Sequence, residues 1–141
     1  MRKLIIVLFV FTLFNSCSKD KDKTCTLSVT AVAGNYKITA IRYKATPASA
    51  EADYFNIFFT DPCERDDIFS LNANGTYILT DAGVRCTPPG DDTGAWSLTG
   101  NTLTIDGDAA NVDAFSCSGM TVSASDAFNP GDKLILVFTK Q

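Results

Sequence analysis

The sequence predicts an all-β domain in which about eight short antiparallel strands follow one another as a meander. Two segments, 63–96 and 94–106, alternate apolar and polar residues on both sides of a glycine-containing turn. The last segment, 133–140, is apolar on both faces, which is typical of a strand that lies centrally or closes a barrel. A closed barrel and a two-sheet sandwich both fit this pattern.

The chain begins with the features of an export leader. Arg2 and Lys3 precede an apolar run over residues 4–14, which is too short to be a permanent transmembrane helix. Asn15-Ser16-Cys17 follows directly and resembles the lipobox of bacterial lipoproteins. The resemblance implies that residues 1–16 are a signal peptide and that the Cys17 thiol carries the lipid. An ordinary secretory leader with an incidental cysteine is the alternative.

Residues 17–29 are predicted to be the lipidated cysteine and a polar tether. The stretch SKDKDKT after Cys17 contains no apolar residue, which favours a solvated linker. Ser18 is similar to the residue that directs lipoproteins to the outer membrane, and the Lys-Asp run is similar to the tethers of Bacteroidetes-type surface lipoproteins. We therefore expect an outer-membrane lipoprotein, with periplasmic and surface orientations both open.

The charge balance argues against nucleic acid as a partner. The chain carries 12 Lys and Arg against 16 Asp and Glu, for a net charge of −4, and loss of the leader removes two of the basic residues. Such an acidic surface repels phosphate backbones. Because no polybasic patch is present, membrane attachment is expected to depend on the lipid alone.

The first predicted strand covers residues 34–43. Tyr36 and Ile38 alternate with polar residues as in a half-buried strand, and Ala40-Ile41 breaks the alternation, which predicts a bulge. The apolar run 54–59 is too short for periodicity to distinguish a strand from a helix.

The segment 63–96 predicts a hairpin whose register follows from its apolar residues. A three-residue loop that ends at Gly75 sets Phe69 opposite Leu79. The same loop sets Leu71 opposite Tyr77, so that all four side chains share one face. Glycine supplies the positive φ that the end of this loop requires.

A second hairpin is predicted over residues 94–106, and its register follows from its apolar residues in the same way. Pairing Trp96 with Ile105 and Leu98 with Leu103 again places four apolar side chains on one face. The remaining strands are predicted over residues 112–117, 120–124 and 133–140.

The five cysteines divide into one plus four. Cys17 is assigned to the lipid, and the other four suit two disulfides in an oxidising compartment. The hairpin register brings Cys63 within one residue of opposition to Cys86, which leaves Cys25 to pair with Cys117. Zinc is the competing interpretation, but the cysteines are not spaced as C-x-x-C.

Four segments resemble the bacterial lipocalin-like domain of small lipoproteins. They are GNYKITAI at 34–41, CERDDIF at 63–69, NGTY at 74–77 and GAWSL at 94–98. The resemblance covers about residues 30–141 and implies one domain with a lipocalin-like β-barrel fold. Tyr36 stands where the family usually has Trp, and the family pattern includes cysteines near positions 63 and 86.

Catalysis finds little support in the sequence. The chain has no histidine, which excludes Ser-His and Cys-His nucleophile arrangements. Carboxylates cluster at 61–67, 91–92 and 106–108, beside turns where solvated loops are expected. Calcium at 91–92 or 106–108 is an alternative without a complete ligand loop. We therefore expect no enzymatic activity, no cofactor and no metal.

The inward aromatic and aliphatic side chains are the candidate functional set. In a barrel that is open at one end, they would line an apolar pocket for a small hydrophobic ligand. The candidate ligand-binding residues are Tyr36, Ile38, Phe69, Leu71, Tyr77, Leu79, Trp96, Leu98, Leu136 and Phe138. The alternative is a filled core whose loops contact an envelope or host partner. A monomer is expected in both cases.

Overall fold

The computed structural model describes residues 25–141, so the predicted leader, the lipidation site Cys17 and most of the tether lie outside the described residues. The elements are helix α1 (Val29–Val32), strands β1 (Gly34–Lys44) and β2 (Ala52–Asp53), helix α2 (Phe55–Phe58), a 3₁₀ turn (Pro62–Glu64), and strands β3 (Ile68–Leu71), β4 (Thr76–Thr80), β5 (Asp92–Thr99), β6 (Thr102–Ile105), β7 (Asp108–Ser116), β8 (Gly119–Ser125) and β9 (Lys133–Lys140). Neither helix within these residues is long or apolar enough to cross a membrane.

Eight of the strands form a closed antiparallel barrel. β1 and β3 to β9 are hydrogen-bonded in sequential order, and β9 pairs with β1 to close the sheet, while the two-residue β2 extends the edge of β1. The predicted all-β meander is therefore confirmed as a barrel, which excludes the sandwich. β9 is apolar on both faces because it closes the sheet between β1 and β8.

The alternating strand directions divide the connections between two ends of the barrel. We call the end with α1 and the turns at 72–75, 100–101 and 117–118 the closed end. We call the other end, with α2 and the loops 81–91 and 126–132, the open end.

Both predicted hairpin registers are confirmed. Phe69 pairs with Leu79 in β3 and β4, and the following loop places Gly75 at a φ of 87°. Trp96 pairs with Ile105 in β5 and β6. In each hairpin, the side chains predicted to share a face belong to or pack against one hydrophobic core.

Two local predictions are refined by the structure. The expected bulge in β1 lies between Ile38 and Ala40. The ambiguous run 54–59 is helical at α2, where the Asp53 carboxylate accepts a hydrogen bond of 2.9 Å from the backbone N–H of Phe55.

Polar contacts hold α1 at the closed end of the barrel. The buried Tyr36 hydroxyl donates a hydrogen bond of 2.6 Å to the carbonyl oxygen of Val32 in α1. The Lys140 ammonium donates to the carbonyl oxygens of Ala31 and Ala33 at 3.1 and 2.9 Å and lies 5.6 Å from the centre of the Tyr36 ring. Tyr36 of β1 and Lys140 of β9 therefore fix α1 in place at this end.

Two disulfides join the chain as predicted. Cys25 is bonded to Cys117 at the closed end, and Cys63 is bonded to Cys86 at the open end. The second bond arises differently from the prediction, because β3 starts only at residue 68 and β4 ends at residue 80. Cys63 lies in the 3₁₀ turn, so the bond joins two loops and not the paired ends of a hairpin.

Candidate ligand-binding pocket

Most of the predicted ligand-binding residues pack against one another in the core. The fully or nearly buried members are Tyr36, Ile38, Leu71, Tyr77, Trp96 and Phe138. The members that are partly buried and pack against this core are Phe69, Leu79, Leu98 and Leu136. Within the described residues, the closed half of the barrel is therefore filled by side chains.

A pocket of about 510 Å³ lies in the open half of the barrel, within the sheet formed by β6 to β9. Leu136 and Phe138 line it, whereas the other eight predicted residues do not. The lining residues that the sequence prediction missed are Leu103, Ile105, Asp108, Ala109, Ala110, Val122, Ala124, Ser125, Asp126, Ala127, Phe128 and Leu134.

Small side chains on β7 and β8 leave room for this pocket. Along β8, Met120 and Val122 are buried and point inward, and Ala124 continues the same face towards the open end. Ala110 lies opposite Leu103 of β6 at the same wall. Alanine at these inward positions was the signal that could have located the pocket, because a barrel of this size fills with larger side chains unless small ones intervene.

The mouth of the pocket combines two carboxylates with an exposed aromatic ring. Asp108 and Asp126 are both exposed and line the pocket together with Phe128. The Phe128 side chain is 56% exposed, and its ring centre lies 5.7 Å from that of Tyr43 and 6.1 Å from that of Phe58. Aromatic contacts with two other elements therefore support this ring at the rim.

A buried carboxylate fixes the loop that carries Phe128. Asp132 accepts hydrogen bonds from the backbone N–H groups of Ala127, Phe128 and Asn129 at 2.7, 3.1 and 2.7 Å. The Tyr43 hydroxyl donates to the same carboxylate at 2.9 Å. Burial alone would raise the pKa of Asp132, but these donors outweigh it and lower the pKa below its ordinary value. The Asp132 carboxylate therefore stabilises the conformation of this loop.

A second carboxylate cluster lies outside the pocket. The Tyr77 hydroxyl is 2.6 Å from Asp106 and 2.9 Å from Asp92, and these acceptors, together with burial, raise the pKa of Tyr77. The hydrogen bonds from Tyr77 and from the backbone N–H of Ala95 lower the pKa of Asp106. These contacts tie β4, β5 and the β6–β7 turn together, which is an architectural role.

The chemistry available to the pocket is non-covalent binding. Its walls are aliphatic and aromatic, and its polar groups are two carboxylates and a serine hydroxyl. Among residues 25–141, no group of three or more cysteine, aspartate or glutamate side chains is arranged to hold a metal ion. An apolar cavity with a few polar groups at its rim is typical of a small-molecule site.

Comparison with known families agrees with this geometry. Residues 32–121 match the lipocalin-like domain family, and this segment spans more than half of the chain. The chain belongs to the lipocalin-like domain family. That family is generally non-catalytic, and its barrel is consistent with small-ligand binding. No curated protein and no solved structure matches this lipocalin-like chain.

The family match ends within β8, and the barrel continues beyond it. β9 lies after the matched segment and supplies Leu134, Leu136 and Phe138 to the pocket. The lipocalin-like barrel is therefore completed, and its pocket partly lined, by the last strand.

Proposed function

We propose that this lipocalin-like protein binds a small apolar molecule in the open half of its barrel. The observation that carries the proposal is the pocket of about 510 Å³ with aliphatic and aromatic walls. This volume falls within the range of about 300–1,000 Å³ that is usual for small-molecule sites. Burial of apolar ligand surface against these walls would supply most of the affinity.

The floor of the pocket is suited to an apolar group. Leu103, Val122 and Phe138 are nearly fully buried and belong to the hydrophobic core, so they offer an inserted group contacts with no polar atom. Among the described lining residues, the polar ones are Asp108, Ser125 and Asp126, which lie towards the mouth. A ligand would therefore enter with its apolar part first and keep any polar part near solvent.

The test uses Nile red, an uncharged apolar dye whose fluorescence rises in apolar surroundings. We expect saturable binding to the purified domain and a loss of affinity of about tenfold or more in Ala124→Trp, because the indole would occupy the pocket. Ala114→Trp is the matched control, since Ala114 is exposed on β7 and does not line the pocket.

Ala110→Leu provides a smaller version of the same change and guards against misfolding of the Trp variant. It should weaken Nile red binding less than Ala124→Trp while leaving the far-ultraviolet circular dichroism unchanged. Equal dye binding by the wild type and both pocket variants would contradict the proposal.

We further propose that the protein is a lipoprotein of the outer membrane of a Bacteroidetes-type bacterium, anchored through Cys17. The support comes from the leader over residues 1–16, the lipobox-like sequence and the polar tether. Expression of the full chain with a radiolabelled or alkyne-tagged fatty acid should label the wild type and leave Cys17→Ala unlabelled. Fractionation should place the label with the outer membrane.

A second candidate function is contact with an envelope or host partner. The observation that favours it is exposed apolar surface on α2, where the side chains of Ile57 and Phe58 are 61% and 40% exposed. Crosslinking of the membrane-anchored protein, compared with Ile57→Ser, tests this function. A crosslinked partner that is lost in Ile57→Ser, together with absent Nile red binding, would favour the interaction role.

A further inference from the structure

We infer that the pocket prefers amphiphiles with a positively charged end group, such as a primary or quaternary ammonium on an alkyl chain. The inference rests on the proposed ligand-binding function and adds the charge of the ligand to it. Its basis is the residues at the mouth, where Asp108 and Asp126 accompany Phe128 and no lining residue among residues 25–141 is a lysine or arginine.

The two carboxylates differ in the hydrogen bonds that they already accept from the protein. Asp126 accepts a hydrogen bond of 2.6 Å from the backbone N–H of Gly131, which fixes the side chain and leaves its second oxygen without a protein donor among the described residues. The Asp108 backbone pairs with Ile105 in the sheet, whereas its carboxylate accepts no hydrogen bond and forms no ion pair within residues 25–141. Both can approach a cation without giving up an existing ion pair.

The aromatic ring at the rim adds a second attraction for a cation. An ammonium group over an aromatic face is stabilised by the ring quadrupole, and quaternary ammonium ligands are typically recognised this way. Phe128 is 56% exposed and lines the pocket together with the two carboxylates, while Asp132 holds its loop in place. The combination of ring and carboxylates is absent from the apolar floor.

The nearby basic residues do not offset this preference. Lys133 points to the outer wall, where its ammonium lies 3.1 Å from the Asp113 carboxylate in an ion pair. Lys44 and Lys133 both line a neighbouring groove together with Asp126 and Asp132, and neither lysine lines the pocket. A carboxylate ligand at the mouth would therefore meet two like charges and no opposite charge among the described residues that line the pocket.

The experiment measures displacement of Nile red by three ligands with the same ten-carbon chain and different ends: decyltrimethylammonium, decanol and decanoate, each below its micelle concentration. We expect the cation to bind about fivefold or more tightly than decanoate, the fold-change appropriate to two exposed charge pairs. The difference should shrink as salt is raised, since the charges are near solvent.

Variants separate charge from shape. Asp108→Asn with Asp126→Asn should remove the difference in affinity between cation and anion, with decanol binding by the same variant as the uncharged reference. Asn at position 126 can keep the bond from Gly131 and the positive φ of 54°. Glu51→Gln with Glu64→Gln is the matched control, because it removes the same charge from residues that do not line the pocket.

Phe128→Leu keeps the rim apolar and removes the ring face, so it should weaken the cation more than decanol. Equal binding of cation and anion, or a preference for decanoate, by a protein that binds Nile red would overturn the charge inference and leave the proposed function standing. Failure of the wild type to bind Nile red or any of the three ligands would overturn both.

Discussion

Removal of the Cys25–Cys117 disulfide should lower the free energy of unfolding by about 4 kcal/mol. The bond spans 92 residues and encloses the Cys63–Cys86 bond, which spans 23. With the inner bond intact, the outer one closes an effective loop of about 69 residues in the unfolded chain, and loop-closure entropy gives about 4.4 kcal/mol for it. The same relation gives about 3.4 kcal/mol for the inner bond alone.

The assay is denaturant unfolding of residues 25–141 with both disulfides, with Cys25→Ser plus Cys117→Ser, and with Cys63→Ser plus Cys86→Ser. Each serine pair serves as the control for the other. Loop-closure entropy predicts that removal of the outer bond causes the larger loss of stability, by about 1 kcal/mol. A smaller loss of stability on removal of the outer bond would refute this prediction. It would indicate that residues 25–28 gain freedom in the folded protein when the bond is removed, which offsets the entropy gained by the unfolded chain.

Three further changes test the architecture. Tyr36→Phe should cost about 1 kcal/mol, measured by thermal unfolding, because the buried carbonyl oxygen of Val32 loses its donor. Gly119→Ala should destabilise the barrel in the same assay, since its Cβ would clash with a backbone carbonyl oxygen of β9. Asp106 has a lowered pKa through its bond from Tyr77, so its stabilisation is present above the ordinary value of 3.8 and is lost as pH falls below it. Asp106→Asn should flatten the acid limb of the stability profile, and an unchanged acid limb would contradict this.

The hairpins were predictable because their information is local. The side-chain period of two and one turn glycine determine which residues face each other, and a slip by one residue would have moved Leu71 and Tyr77 to solvent. The cysteine pairing was predictable for a similar reason, because four cysteines allow only three connectivities. The position of Cys63 in a 3₁₀ turn was not, since the alternation of apolar residues does not show that β3 begins only at Ile68.

Most of the pocket-lining residues were not predicted, because the sequence does not show which inward positions pack in the core and which face open space. Inward residues such as Tyr36 and Leu136 follow the same alternation, yet only Leu136 faces open space. The decisive features are alanines at inward positions, which alternation alone does not distinguish from larger apolar residues, and a loop aromatic, Phe128, which lies outside any strand. Asp132, which holds that loop, lies in a stretch that composition alone describes as a turn.

The Cys25–Cys117 bond holds residue 25 at the closed end of the barrel, opposite the pocket mouth. β1 has 11 residues, and a strand of this length tilted at about 40° separates the two ends of the barrel by about 28 Å. If Cys17 carries lipid as proposed, the chain to Cys25 reaches about 28 Å only when fully extended. The pocket mouth would then face away from the bilayer. Ligands would therefore exchange with the aqueous phase and not directly with membrane lipid.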